Sequence, residues 1–411
     1  MEIEIGRGKK ARQAYGFDDI AIVPSRRTRD PQDVDIGWKL GPHLLELPLL
    51  ASAMDGVVSP KIAIELGKLG GLGVLNLEGI YTRYANPERE LLKISKLTKE
   101  QATRGMQEIY AKPVDPELIA TRISEIKDAG TLVAGSLTPQ KVRDHYEAAL
   151  EAGLDILVIQ GTVVSAEHVS SNGHALNLKE FIASLPIPTI VGGCASYQTA
   201  LHLMRTGAEG VLVGVGPGQA CTTRGVLGVG VPQATAIADA AAARVQHLLE
   251  TGKYVNVIAD GGMRTGGDIS KAIACGADAV MVGSPLARAK EAPGRGFHWG
   301  MATFHPSLPR GARVQTVQNG TIEQILQGPA HENDGSFNLM GALRTSMATT
   351  GYKDLAEFNR AELMIAPALQ TEGKALQSAQ GVGMGSRGAS ASAHPGTENG
   401  VVDKAPALSE A

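Results

Sequence analysis

The chain has 411 residues, 43% of them apolar, enough for one large α/β domain or two smaller ones. A net charge of −3 excludes a bulk electrostatic draw toward nucleic acid or an anionic membrane. Three scattered cysteines, Cys194, Cys221 and Cys275, exclude a disulfide framework and a cysteine-built metal cage, and they point to a reducing, cytoplasmic setting. The acidic start Met1-Glu-Ile-Glu-Ile-Gly lacks an apolar run, Arg26-Arg27 precedes no apolar segment, and no stretch of about 18 apolar residues occurs. Neither a secretion signal nor a membrane span is therefore expected.

Taken in chain order, eight short apolar runs stand at residues 49–54, 71–76, 131–135, 156–160, 188–193, 210–214, 255–260 and 279–283. They are continuous rather than alternating, the pattern of parallel strands covered by helices on the outside. Helices are predicted between them at 140–152, 197–206, 235–249 and 267–275, several closed by glycine, as at Ala152-Gly153 and Thr206-Gly207. Residues 77–130 separate the second and third runs and hold two further predicted helices, 87–99 and 115–129. Eight strand–helix repeats predict a (β/α)8 TIM barrel over residues 1–374. An open doubly wound sheet is the rival, but no G-x-G-x-x-G turn follows the first strand. Residues 291–320 form a Pro/Gly-rich loop after the eighth strand, a candidate lid. The tail 375–411 is rich in Gly, Ser and Ala and is expected to be disordered.

Chemistry in such a barrel gathers at the C-terminal ends of the strands. The leading candidate is Cys221, in Gly214-Val-Gly-Pro-Gly-Gln-Ala-Cys-Thr-Thr-Arg224. A lone cysteine is more often a small buried residue. Here a Gly-rich turn presents it after a strand, with hydroxyls at Thr222 and Thr223 and a cation at Arg224, as a thiolate nucleophile needs. Ser52, Met54 and Asp55 end the first strand, Gln160 and Gly161 the fourth, Cys194 the fifth. Asp260-Gly261-Gly262 ends the seventh and Gly283-Ser284 the eighth. Glycines after the last two strands suit phosphate, and Asp260 suits ribose hydroxyls, although a turn or N-cap aspartate is the plainer reading of it alone.

These residues resemble the IMP dehydrogenase/GMP reductase family. The likeness rests on Tyr15-Gly-Phe-Asp-Asp-Ile20, Leu50-Ala-Ser-Ala-Met-Asp55, Cys221-Thr-Thr-Arg224, Gly230-Val-Pro-Gln-Ala-Thr235, Ile258-Ala-Asp-Gly-Gly262, Met281-Val-Gly-Ser-Pro-Leu286 and Gly300-Met301, and covers roughly residues 10–365. The resemblance implies a barrel that assembles as a homotetramer or octamer and binds a purine mononucleotide, GMP or IMP, with a nicotinamide cofactor. It implies that Cys221 attacks purine C2 and that Ser52 and Met54 pack near ribose and base. Asp260 takes the ribose hydroxyls, Gly262, Gly283 and Ser284 hold the phosphate, and Met301 meets the purine edge. Gln160 and Gly161 fall at the cofactor. The carbonyls of Gly216, Gly218 and Cys221 stand where some members bind potassium.

Within the family, the dehydrogenase oxidises IMP with NAD and hydrolyses the adduct, using an Arg-Tyr pair on a long flap. This chain has a short lid, no such pair in it and no inserted CBS modules, which marks a divergent subgroup. The resemblance therefore favours GMP reductase chemistry with NADPH, Thr223 assisting deamination. The chain also departs from the reductase branch, because no carboxylate follows Gly300-Met301; Glu78, His298 and His305 are the candidate replacements. Gln160 stands for an Asp, Gln219 for a Ser and Cys194 for an Asn, and Asn76 and Leu77 differ from both branches. The alternatives are an IMP dehydrogenase that activates water through Arg310 or Arg313, and a purine nucleotide sensor without turnover.

Overall fold

The computed structural model describes residues 2–169, 176–366 and 373–380. Eight parallel strands close into a barrel: β1 (Leu49–Ala51), β2 (Leu72–Asn76), β3 (Ala134–Leu137), β4 (Ile156–Gln160), β5 (Thr189–Cys194), β6 (Gly210–Val213), β7 (Asn256–Asp260) and β8 (Ala279–Val282). Each pairs with its neighbours in sequence, and β8 closes on β1 with Val280 opposite Leu49. All eight predicted strands are present. The third is displaced along the chain from 131–135, because the fully buried Ser136 continues the strand past the apolar run that marks it in sequence.

The strands are short and buried except at the half-buried ends Gln160 of β4 and Asp260 of β7, with Leu49, Val74, Ile156, Val211, Val257 and Val280 wholly inside. This is the layered packing expected when both faces of a parallel sheet are covered. Small hairpin strands, Trp38–Leu40 and His43–Leu45, lead into β1, and Trp38 Nε1 donates to the Leu47 carbonyl at 2.8 Å. Residues 77–133 hold three helices rather than the two predicted: α1 (Pro87–Lys96), α2 (Lys99–Tyr110) and α3 (Pro116–Asp128). The unpredicted α2 starts on a capping box in which Thr98 and Gln101 satisfy each other's backbone N–H groups. Its apolar positions are few, so periodicity does not reveal it, yet it delivers Tyr110 to the lid.

The lid is ordered and folded back over the barrel mouth. Phe297–His298 pairs antiparallel with Val314–Gln315, and residues between them lie across the loop after β6. Lys374–Ala379, where the disordered tail is expected to begin, is a short helix; residues 381–411 of that tail lie outside the described residues. Among the described residues no helix is long and apolar enough to cross a membrane.

Candidate functional site

The C-terminal ends of the strands surround a cleft of about 1030 Å3. Cys221 lines it from the loop between β6 and a short helix, Thr223–Leu227. A turn hydrogen bond from Cys221 N to the Gly218 carbonyl, 3.1 Å, holds the thiol in place. Its Sγ lies 3.1 Å from Thr223 Oγ1, and Thr223 is wholly buried behind it. The thiol donates to that hydroxyl oxygen. Cys194 and Cys275 are buried, and desolvation pushes both thiols up to about 12. The polar strand-end role expected of Cys194 is therefore corrected: its thiol points at the Leu212 carbonyl within the barrel wall. Arg224 differs too from the expected partner of the thiol. Its guanidinium donates to the Val215 and Val231 carbonyls at 3.2 and 2.7 Å, so what it holds is the loop.

The other predicted residues converge on the same cleft. Ser52 and Met54 line one wall after β1, and Met301 faces in from the lid. Gly262, Gly283 and Ser284 form a cradle at the ends of β7 and β8. Gly261 and Gly262 have φ of +77° and +84°, which only glycine adopts freely, and Gly261 N donates to the Met281 carbonyl at 3.1 Å. Ser284 Oγ contacts His298 Nε2 at 3.0 Å, and His298 Nδ1 contacts Thr316 Oγ1 at 2.7 Å. Burial lowers the His298 pKa to about 4, so the imidazole is neutral at pH 7.

Asp260 closes β7 on the cleft floor. It is reachable from the cleft but otherwise surrounded by protein, and this desolvation pushes its carboxyl up to about 7. Gln160, expected at the cofactor, lines the cleft and donates from Nε2 to Asp260 Oδ2 at 3.0 Å, which draws that pKa down. Gln233 pins the same strand end, donating to the Val213 and Asp260 carbonyls at 2.8 and 3.1 Å. The sequence gives no sign of this buried amide beyond its place in the Val-Pro-Gln motif.

Of the groups considered for the missing carboxylate, Glu78 is spent on the Thr138 N–H at 2.5 Å and does not line the cleft, and His298 is held as above. His305 does line it, with Nδ1 accepting from Leu308 N at 3.1 Å. Arg313 faces away, donating to the Ile94 and Leu97 carbonyls beneath the Phe297 ring. Arg310 lines the cleft. Its carbonyl accepts from Thr222 N at 3.3 Å, and its Nε is buried without a partner among the described residues.

Two groups not present in the structure can be tested against these residues. Gln160 lines the cleft beside Gly161, Thr162 and Val163, and its buried Oε1 has no partner among the described residues, an acceptor left for a hydroxyl-bearing ligand. The Gly216, Gly218 and Cys221 carbonyls lie on one turn, but that of Gly218 already accepts from Cys221 N. Three carbonyls fall short of a full oxygen shell for a cation, and the turn by itself is an incomplete cage.

A buried cluster around Asp55, one of the predicted strand-end residues, ties the lid down. Tyr110 donates to Asp55 Oδ2 and accepts from Trp299 Nε1 at 2.8 Å, and its ring stacks on Phe304 with centroids 3.5 Å apart. Trp299 and Phe304 belong to the lid, Asp55 to the loop after β1.

The IMP dehydrogenase / GMP reductase domain matches residues 14–375 of this chain. An uncharacterized oxidoreductase of Mycobacterium tuberculosis is 49% identical over 372 residues, 88% of this chain and 99% of that protein. The inosine-5′-monophosphate dehydrogenase of Cryptosporidium parvum is 34% identical over 375 residues, 83% of this chain and 89% of that protein. The crystal structure of an IMP dehydrogenase/GMP reductase-like protein from Corynebacterium glutamicum superposes with a TM-score of 0.85 at 46% identity, over 89% of this chain and 97% of that one. These matches run through every element that builds the cleft, and the chain belongs to the IMP dehydrogenase/GMP reductase family of oxidoreductases.

Proposed function

We propose that the protein is a nicotinamide-dependent oxidoreductase of purine mononucleotides that works through a covalent bond between Cys221 and purine C2. One observation carries this reading. The thiol of Cys221 opens into the same cleft as Asp260 and the Gly262–Ser284 cradle, so one ligand spans nucleophile, ribose acceptor and phosphate site. Bound nicotinamide supplies the hydride acceptor or donor. The protein's residues hold the sugar, orient the base against Met54 and Met301, and keep the thiol and its proton on Thr223.

For direction, we favour oxidation of IMP to XMP with NAD. Sγ bonds to C2, hydride leaves C2, and water then adds at C2 as the C–S bond breaks and the thiol regains its proton. Arg310 supports this choice, because a lid guanidinium in the cleft orients the incoming water. The shared name of the Cryptosporidium relative points the same way. Reductive deamination of GMP with NADPH, the direction the sequence favours, draws support from Thr223 at 3.1 Å from the thiol. It lacks a lid carboxylate to protonate departing ammonia. Loss of one positioned acid or base typically costs about 10²–10⁴-fold in rate.

The test follows NADH formation from IMP and NAD beside NADPH loss with GMP, each with Cys221→Ala and Arg310→Ala. NADH formation that disappears in the first variant and falls at least tenfold in the second supports oxidation. GMP-dependent NADPH loss alone overturns the direction. Stoichiometric labelling of Cys221 by a C2-reactive nucleotide without turnover either way makes the protein a sensor. A homotetramer or octamer, measured by light scattering, and a cytoplasmic setting for its free cysteines belong to the same proposal.

A further inference from the structure

Gln160 and Asp260 are a hundred residues apart and end strands that do not pair, β4 and β7, yet they meet across the barrel mouth at 3.0 Å. The amide is oriented by this contact: Nε2 faces Oδ2 of Asp260, with Met281 Sδ 3.7 Å away. Orientation leaves Gln160 Oε1 buried and without a partner among the described residues, beside a carboxyl whose side-chain hydrogen bond among them is this one, at Oδ2. A buried acceptor is seldom left unpaired, and beside a carboxylate that lines the same cleft Gln160 Oε1 suits one of a pair of donors.

The charged groups around Asp260 do not compete for this role. Arg264 is taken by Asp18 and Asp268, Arg288 faces Asp334, and Arg310 donates to the Leu308 carbonyl. On the neighbouring helix, Gln233–Thr251, it is the neutral amide of Gln233 that reaches the Asp260 backbone. Cys221 and His305 are the remaining titratable groups of the cleft wall.

Resting on the reading of the cleft as a purine nucleotide site, we propose that Gln160 grips the nucleotide ribose together with Asp260. Oε1 of Gln160 accepts one hydroxyl of the cis-diol and Oδ1 of Asp260 the other, while the Nε2 contact keeps both acceptors aimed at the sugar. Gln160 thus becomes a determinant of ribose against deoxyribose. Sites built to pair a hydroxyl discriminate strongly against ligands that lack it, because the acceptor then stays buried and unpaired.

Calorimetric titration with IMP and with 2′-deoxy-IMP and 3′-deoxy-IMP tests this, on the full chain and on Gln160→Met and Gln160→Glu. The wild type binds IMP at least tenfold more tightly than either deoxy analogue. Gln160→Met, similar in length but without the amide, loses the preference over one of them, to within about threefold. A merely structural role would weaken all three ligands alike and keep the ratios. Gln160→Glu keeps the acceptor and the ratios but sets two carboxyls against each other. One of them then holds a proton, and affinity falls as pH rises and that proton leaves. Ratios unchanged in Gln160→Met overturn the proposal. Wild type that binds neither IMP nor GMP overturns the nucleotide reading itself, a separate outcome.

Discussion

Replacing Tyr110 with Phe separates the lid latch from the packing around it. The ring and its stack on Phe304 remain, and only the hydroxyl between Asp55 and Trp299 is lost. At pH 8 Asp55 is ionised, so its bond to Tyr110 is charge-assisted and contributes about 1.5–3 kcal/mol, while the orphaned indole N–H costs about 1–3 kcal/mol more. The expected penalty is about 3–5 kcal/mol if both groups stay buried, and lid undocking relieves part of it by letting Trp299 reach water. Burial raises the Asp55 carboxyl to about 6, above its unfolded value. Its contribution to stability is therefore fully present below the unfolded pKa and lost as pH rises through 6. The Tyr110 bond opposes that rise, so removing it drives the folded pKa higher and the loss falls on the alkaline side. At pH 5 the carboxyl is protonated, and the penalty shrinks to about 2 kcal/mol. Thermal melts at pH 5 and pH 8 measure the difference, and tryptic cleavage at Arg310 and Arg313 reports lid opening. An equal loss of melting temperature at both pH values, or a larger one at pH 5, refutes the reasoning, as does a lid cut no faster than in the wild type.

Gly283→Ala places a Cβ 2.6 Å from Met54 Sδ, which pushes a flexible side chain into the nucleotide space rather than breaking the barrel. The expected result is a rise of about tenfold or more in nucleotide KM, at 1.4 kcal/mol per decade, with an unchanged melting temperature. Arg313→Ala removes donors to the Ile94 and Leu97 carbonyls and the stack on Phe297. It lowers stability by about 1–3 kcal/mol and leaves kcat within a few-fold, the reverse of Arg310→Ala; steady-state kinetics beside a melt distinguishes them.

The barrel is legible because each strand is a continuous apolar run punctuated by glycine, and eight such runs have few other ways to pack. The strand-end residues follow from it: once the runs are strands, Ser52, Asp260, Ser284 and Cys221 fall on one rim without any knowledge of side chains. What stays hidden is contact between distant segments. Only the Thr98-x-x-Gln101 capping box marks the start of the helix that carries Tyr110 to the lid, and its apolar periodicity is weak, since its buried positions are only Ala102, Met106 and Tyr110. Likewise Arg310 and Arg313 look equivalent in sequence, three residues apart in a loop. A short strand pairing, His298 with Val314, lies beside them, and Arg310 lines the cleft while the Arg313 guanidinium faces away from it.

The lid and the nucleophile loop then behave as one mechanical unit. Cys221 bridges to Gly311, Ala312 N donates to the Ala220 carbonyl at 2.9 Å, and Thr222 N donates to Arg310. At its other margin the lid reaches the phosphate cradle through His298 and Ser284, and its interior is held by Tyr110. On the proposed reading, a nucleotide phosphate at Ser284 would meet a side chain already bonded to the lid, while its purine would meet a cysteine whose loop is paired with the same lid. Displacing the lid costs contacts at all three places at once, and bound nucleotide adds to two of them. Nucleotide binding should accordingly protect Arg310 and Arg313 from trypsin even in Cys221→Ala, because the protection comes from the cradle and the loop and not from the covalent bond.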